Sequence, residues 1–554
     1  MDKGYGITRM LVEHFFRRFF DNDTIQVDGD TQTTVVRALS IVAMPGLTIA
    51  FFLQTAYPRP PLYRPPWLVI EDHYFFVLFS FVVMGAVSIF EWEMLFPDRL
   101  DFLVLSPLSL KPLQMLAAKA AALIAFLALF LVGCNLFGTF VLSAVSKGDF
   151  FRQLYAHGAA VLLAGVFAAL LFLALGGVLL CVLDAARFRM ASPIMQMLSV
   201  TLLVLLVLHY IQYGDSMETL LSQPLRTARW LPPFWFLGVY EQLLHGDAAA
   251  PFAREMAQYA IRGTVTAALV VLLTYPMAWA RMRRMAVEGG SRRQGPPSRR
   301  WAQLVHEVVR RPGERAAFHF IGQTIARNNR YQVYLAMYCG TGLALAVACA
   351  VKFRTNGGSL HPVLFDEGLH AMMPLLLFWV IAGLRTAFAF PLNLPARWVF
   401  RITGVAISEC TAAGRKWVFW CATGVLGCVV AVLRAAGWDL RHLMVQIVCG
   451  LCLCLLLTGG FFFFQQSVPF NQPRMPGRTN FPLMLTLYIG VFPLFVFGMI
   501  RLEMSMEKNL AKLLLLGVTA LVIHIALNVL RRGSEEVEEE MEGYEGEFQV
   551  LGLS

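Results

Sequence analysis

Charge is scarce in this sequence. Only 15% of its 554 residues are Asp, Glu, Lys or Arg, against about 25% in an ordinary soluble domain, and the mean hydropathy is +0.61. Water is thereby excluded as the main solvent. Also missing is the ten-residue alternation of apolar and polar positions that marks membrane-barrel strands. The apolar runs are instead continuous and rich in Leu, Ala, Val and Gly. About 20 such residues cross ~30 Å of hydrocarbon as a helix rising ~1.5 Å per residue. Backbone N–H and C=O groups in hydrocarbon must be paired internally, so runs of this kind mean helices.

Common catalytic motifs are lacking too. There is no GxxxxGK[ST] loop to cradle phosphates, no HExxH and no GxSxG, so no ATPase or hydrolase activity, metal or cofactor is expected of this chain. The cluster Asp21, Asp23, Asp28 and Asp30 lacks the order and the closing glutamate of an EF-hand loop and reads as a solvated turn. Most of the ten cysteines lie in apolar runs, among them Cys134, Cys181 and Cys349. The CxxC spacing of Cys449 and Cys452 falls in VCGLCLCLLL, beside Cys454, where thiols act as small hydrophobes rather than as a redox pair or zinc ligands. No continuous apolar stretch of the signal-peptide kind heads the chain.

What is present begins with an amphipathic segment at 8–20. Leu11, Val12, Phe15, Phe16, Phe19 and Phe20 share one helical face, and Arg9, Glu13, His14, Arg17 and Arg18 the other. Too charged to span and too apolar for water, it suits the membrane interface. Apolar runs follow at 36–54, 74–93, 114–143, 157–183, 194–212 and 258–280, and again at 331–351, 369–390, 415–434, 442–464, 482–501 and 510–530. The expected fold is an all-α polytopic membrane protein with about 12 transmembrane helices in two pseudo-repeated six-helix halves, 1–280 and 316–532, with interfacial amphipathic helices. Between the halves lies a basic linker, 281–315, and the chain closes on an acidic tail, 533–554. Residues 535–554 hold eight glutamates and no Lys or Arg, a composition that suggests disorder.

The linker carries Arg281, Arg283, Arg284, Arg292, Arg293, Arg299, Arg300, Arg310, Arg311 and Arg315. By the positive-inside rule it is cytoplasmic, and six spans on either side put both termini there too, in a multi-pass cell inner-membrane protein. The loops 93–113, 184–193, 391–414 and 465–481 then also face inward. A basic body suits anionic lipid and gives no sign of nucleic acid. On the outer side, the run Trp230 to Trp235 reads as aromatic material at the membrane surface, and Tyr57 to Trp67 as a stiff proline-rich connection. Neither looks catalytic. Ionisable residues near spans are Glu91, Glu93, Asp184, His209, Arg385 and His524, most of them close enough to a helix end to snorkel.

The loop after the second span appears in both halves. FPDRLDFLVLSPLSLKPLQMLAAK, Phe96 to Lys119, aligns with LPARWVFRITGVAISECTAAGRK, Leu394 to Lys416. Pro97 meets Pro395, Arg99 meets Arg397, Phe102 meets Phe400 and, after one gap, Lys119 meets Lys416. The stretch before the seventh span, Ala316 to Arg330, is again mixed aromatic and basic, which favours an internal duplication.

The segment Asp98 to Lys119 resembles the loop of type-2 ABC exporter permeases, in which acidic residues precede a Ser-Pro turn and a basic-ended helix leading into the third span. The resemblance implies a permease subunit without its own ATPase, with the substrate pathway between two six-span units. Asp98, Arg99, Asp101, Ser106, Pro107, Lys111 and Lys119 would then form a coupling loop to a separate ATP-binding cassette subunit. The second-half counterpart comprises Pro395, Arg397, Arg401, Arg415 and Lys416, but Ala396 and Val399 replace the two aspartates and the Ser-Pro turn is missing. One chain would supply both halves. Left open are a plain role for these charges as helix caps and interface anchors, a twelve-span secondary transporter or channel, and a membrane scaffold. The polar loop Gln465 to Phe481 reads as a structured inner loop.

Overall fold

In the computed structural model, residues 2–20, 31–57, 64–92, 110–222, 229–249, 251–287, 305–307, 309–356, 359–389, 405–463, 468–470 and 490–548 are described. The helices are α1 (Asp2–Phe20), α2 (Thr31–Ala56), α3 (Pro66–Glu91), α4 (Pro112–Val145), α5 (Phe150–Val182), α6 (Ala185–Ser222), α7 (Pro232–His245) and α8 (Pro251–Val287). They continue with α9 (Pro312–Arg327), α10 (Asn329–Ala350), α11 (Asp366–Ala389), α12 (Ile407–Ala435), α13 (Leu440–Phe461), α14 (Phe492–Lys508) and α15 (Leu510–Phe548). Proline opens many of them, including α3, α4, α7 and α9, because the first helical residue has no need of an N–H and the ring presets φ. Asp149 opens α5 differently, its carboxylate accepting the Arg152 N–H at 2.9 Å.

Among the described residues, eleven helices are long and apolar enough to cross a membrane. The chain is thus an all-α multi-pass membrane protein. The run expected at 482–501 is represented by α14, whose described part is only 17 residues long. The one β element among the described residues is a hairpin of β1 (Val351–Asn356) and β2 (Ser359–Leu364). It reverses the chain between α10 and α11.

Two compact units result, Met1–Arg293 with Phe353–Val363, and Gln294–Lys352 with Leu364–Ser554. In the first, α3 packs on α4, α5, α6 and α7. In the second, α11 packs on α10, α12, α13 and α14. These two are the most enclosed spans, 61% and 72% buried, whereas α2 and α15 are 17% and 6% buried and leave most of their surface to lipid. Several pairings recur: α1 on α4 as α9 on α12, α4 on α5 as α12 on α13, and α5 on α8 as α13 on α15. An arginine closes each fourth span, Arg281 donating to the Leu180 and Cys181 carbonyls and Arg385 to the Phe461 carbonyl at 3.0 Å, where the last carbonyls of a helix lack partners. The units differ elsewhere. The first span lies mainly on α4 in one unit and on α11 in the other, and α7 belongs to the first unit alone among the described helices.

Both amphipathic segments pack through their apolar faces. Phe15, Phe19 and Phe20 of α1 are buried, with Phe19 stacked on Phe126 of α4 at 5.0 Å. Phe318, Ile321 and Ile325 of α9 are likewise buried.

Three sequence expectations are revised. The supposed surface run Trp230 to Trp235 leads into α7, whose Phe234, Phe236, Leu237 and Tyr240 are buried, although Trp230 itself is exposed. The inner loop expected at 184–193 is almost wholly α6, which carries Pro193 within it. The acidic tail, expected to be disordered, is helical to Phe548, since glutamate is a good helix former and a nucleated span propagates cheaply. The Asp21 to Asp30 cluster and the loop Gln465 to Phe481 lie almost entirely outside the described residues.

Close approach in each unit depends on glycine. A Cβ at Gly85 of α3 would come within 2.8 Å of Phe172 and 3.1 Å of Leu203, whereas one at Gly427 of α12 would meet nothing. Gly85→Val should therefore lose about 1–3 kcal/mol by overpacking, and Gly427→Ala should be neutral or stabilising. Thermal unfolding of the solubilised chain checks both.

Candidate functional site

Most of the residues chosen from sequence fall outside the described residues: Asp98, Arg99, Asp101, Ser106 and Pro107 in the first half, and Pro395, Arg397 and Arg401 in the second. The remainder have definite places. Lys111 is the exposed N-cap residue of α4, its backbone N–H donating to Gln114 Oε1 at 3.1 Å. Lys119, two turns further in, is buried with its ammonium 5.0 Å from the Phe15 ring of α1. Lys416 of α12 forms an ion pair with Glu314 of α9 at 2.7 Å. The aligned lysines thus each hold the amphipathic helix of their own unit, one through a cation–π contact and one through a carboxylate. Arg415 beside Lys416 is half-buried.

The densest buried polar groups lie at the opposite end of the spans, where α3 and α5 begin and α4 finishes. His73 of α3 and His157 of α5 are fully buried with their Nδ1 atoms 2.9 Å apart. Tyr240 of α7 stacks on His73 at 4.0 Å, its hydroxyl 2.8 Å from His73 Nε2 and donating to Gln153 Oε1 at 3.0 Å. Gln153 in turn donates to the Lys147 carbonyl at 2.9 Å. One tautomer assignment satisfies this chain. The Tyr240 proton goes to Gln153, so His73 Nε2–H donates to Tyr240, and His73 Nδ1 must accept from His157 Nδ1–H. His157 Nε2 is then a buried acceptor without a hydrogen-bond partner among the described residues.

One residue earlier on α3, Asp72 is buried and held by a fork. Arg64 donates from Nε at 2.7 Å and from a terminal nitrogen at 2.9 Å, and the Tyr57 hydroxyl donates at 2.9 Å. Burial, reinforced by the Asp72 carboxylate, pushes the Tyr57 phenol far above its ordinary pKa, so it stays a donor. The proline-rich connection between α2 and α3 is therefore pinned at both of its described ends. In α7, burial raises the Glu241 carboxyl against the opposing pull of His245, 3.0 Å away.

The second unit has its own cluster at the matching end. His370 of α11 lies 2.5 Å from Glu503 Oε1 and 3.9 Å from Glu507 Oε1, both on α14. Gln446 of α13 donates to Glu503 through a short hydrogen bond. Trp438 covers the His370 ring at 4.6 Å. The register that pairs Pro97 with Pro395 also pairs Gly85 with Gly383 and Phe90 with Phe388, and it sets His370 against Asp72. At one aligned position, each central helix carries a buried ionisable residue tied to another segment.

No family model, curated protein or solved structure matches this chain.

Sequence reasoning passed over Asp72, His73, His157, His370 and Glu503. The residues it singled out near spans have local roles where they are described: Asp184 pairs with Arg187, His209 lies 2.9 Å from the carbonyl one turn back, and His524 bonds to Asn528. Glu91 is buried at the end of α3. Two signals were available: the dipeptide Asp72-His73 at the head of an apolar run, and glutamates at 503 and 507, one turn apart on a helix.

Arg64→Gln leaves Asp72 buried without its cation. The variant should lose about 3–5 kcal/mol, and adding Asp72→Asn should recover a large part of that loss. Unfolding of the single and double variants as a thermodynamic cycle reads the coupling.

Proposed function

We propose that this chain is the membrane-spanning permease subunit of an ATP-driven exporter, docking a separate ATP-binding cassette subunit through its inward loops, with both termini cytoplasmic in the cell inner membrane. The observation that carries this reading is the recurrent tie between an amphipathic helix and the helix that follows the loop: Lys119 against Phe15 in one unit, and Lys416 with Glu314 in the other. Force applied to either loop by a nucleotide-driven partner would pass into the third span and the interfacial helix together. Duplicate packing within one chain suits two such inputs, and the loop sequence Asp98 to Lys119 supports the same reading.

Affinity purification from native membranes should recover an ATP-binding cassette protein, and nucleotide should change distances between spin labels on α4 and α12. Lys416→Glu should lower the ATPase rate of that complex several-fold, and Lys416→Glu with Glu314→Lys should restore it. Absence of both a bound ATPase and a nucleotide response would overturn the reading.

One observation supports a second reading, cation-coupled secondary transport: the directed chain from His157 through His73 and Tyr240 to Gln153. Under it, proteoliposomes should transport in response to a pH gradient without ATP, and His73→Ala should abolish that response.

A further inference from the structure

Glu503 is 1% exposed at its side chain, yet one of its two oxygens, Oε2, has no hydrogen-bond partner among the described residues. The same holds for Glu507 Oε1, 3.9 Å from His370 Nδ1, and for Gln446 Oε1, whose amide nitrogen donates to Glu503. Unpaired buried oxygens of this kind carry the full desolvation cost of a group taken from water. Here two of them belong to the carboxylates that face one imidazole, that of His370.

Charge sharpens the problem. Two carboxylates one turn apart on α14 face a single histidine, and one imidazolium cannot neutralise both. The neighbouring Arg441 guanidinium donates to the Glu507 backbone carbonyl at 3.3 Å, so that bond leaves the carboxylates uncompensated. A small cation seated among the three side chains would supply the missing charge and occupy the idle oxygens.

Geometry allows it. One ligand atom each from His370, Glu503 and Glu507 lies within 4.8 Å of the others. Donors bound ~2.0–2.2 Å from a tetrahedral zinc ion sit roughly 3.3–3.5 Å apart. The 3.9 Å from His370 to Glu507 is near that spacing, and the closer 2.5 Å approach of His370 to Glu503 is a hydrogen bond whose proton a metal would displace. A ring nitrogen with two carboxylates matches zinc or its neighbours in the first transition row, and too few oxygens are present for calcium. Gln446, fully buried, donates to Glu503 and would fix its orientation as outer-shell partners do.

We propose that His370, Glu503 and Glu507 form a binding site for a divalent transition-metal cation, best matched by Zn2+, with Gln446 as the residue that orients Glu503. Three protein ligands leave a fourth position for water or an incoming ligand, the pattern of an exchanging site rather than a sealed structural one. The site is independent of the energy-coupling reading and would survive its failure.

The test uses the full-length chain in detergent, stripped with chelator and titrated with Zn2+ by calorimetry. The wild type should bind one equivalent more than His370→Gln or Glu507→Gln, and Gln446→Leu should weaken that equivalent about 10–100-fold. Co2+ bound at the same site should show visible ligand-field bands without a thiolate charge-transfer band, which separates it from the chain's free cysteines. Glu507 is only partly buried, so Glu507→Gln decides the matter if the His370 variant does not fold. An unchanged zinc equivalent in Glu507→Gln, or a cobalt spectrum dominated by thiolate ligation, would overturn the proposal.

Discussion

Hydrocarbon offers no hydrogen bonds, and each polar group that enters it must bring or find a partner. For the backbone the answer is the helix. For side chains the answer must come from other segments, so the buried polar residues mark where segments meet. Asp72 joins α3 to Arg64 and Tyr57, His73 joins α3 to α5 and α7, and His370 joins α11 to α14. Even the lesser contacts obey this rule: Ser80 donates to the Val161 carbonyl at 2.8 Å and accepts from Asn135 at 2.9 Å, linking α3, α4 and α5. With lipid as apolar as leucine, contacts of this kind and close packing at small residues, rather than hydrophobic exclusion, hold neighbouring spans together.

That constraint explains why α3 and α11 are central to their units. Each carries a buried ionisable residue near its first turns and a glycine between three and four turns further on that lets a neighbour come close. Polar ties at one end and tight packing in the middle leave the other end to the aligned lysines and the amphipathic helices. In both units the span ends are thus dissimilar, one lined with buried polar clusters and the other clamped to an interfacial helix. The exporter proposal assigns the clamped end to the cytoplasmic partner.

The apolar runs were legible because their length and continuity are local properties. Each of the twelve expected runs overlaps a helix, and α1 was foreseen from the alternation of Phe and Arg along one turn. The β-hairpin was not foreseen, since six residues on either side of a Gly-Gly pair resemble any short loop beside a span. The role of α7 was hidden for a related reason. Trp230 to Trp235 has the composition of an interfacial belt, and nothing in that composition says that Tyr240, a turn and a half further on, reaches His73.

From sequence alone, then, come the solvent, the helical class and the approximate number of spans, because each rests on composition or on neighbours along the chain. Tertiary structure alone decided which polar residues share a site. Glu503 and His370 are separated by more than a hundred residues, and so are Tyr240 and His73. The free energy that brings such pairs together is the cost of leaving either member unpaired in hydrocarbon, a quantity that exists only once the helices have packed.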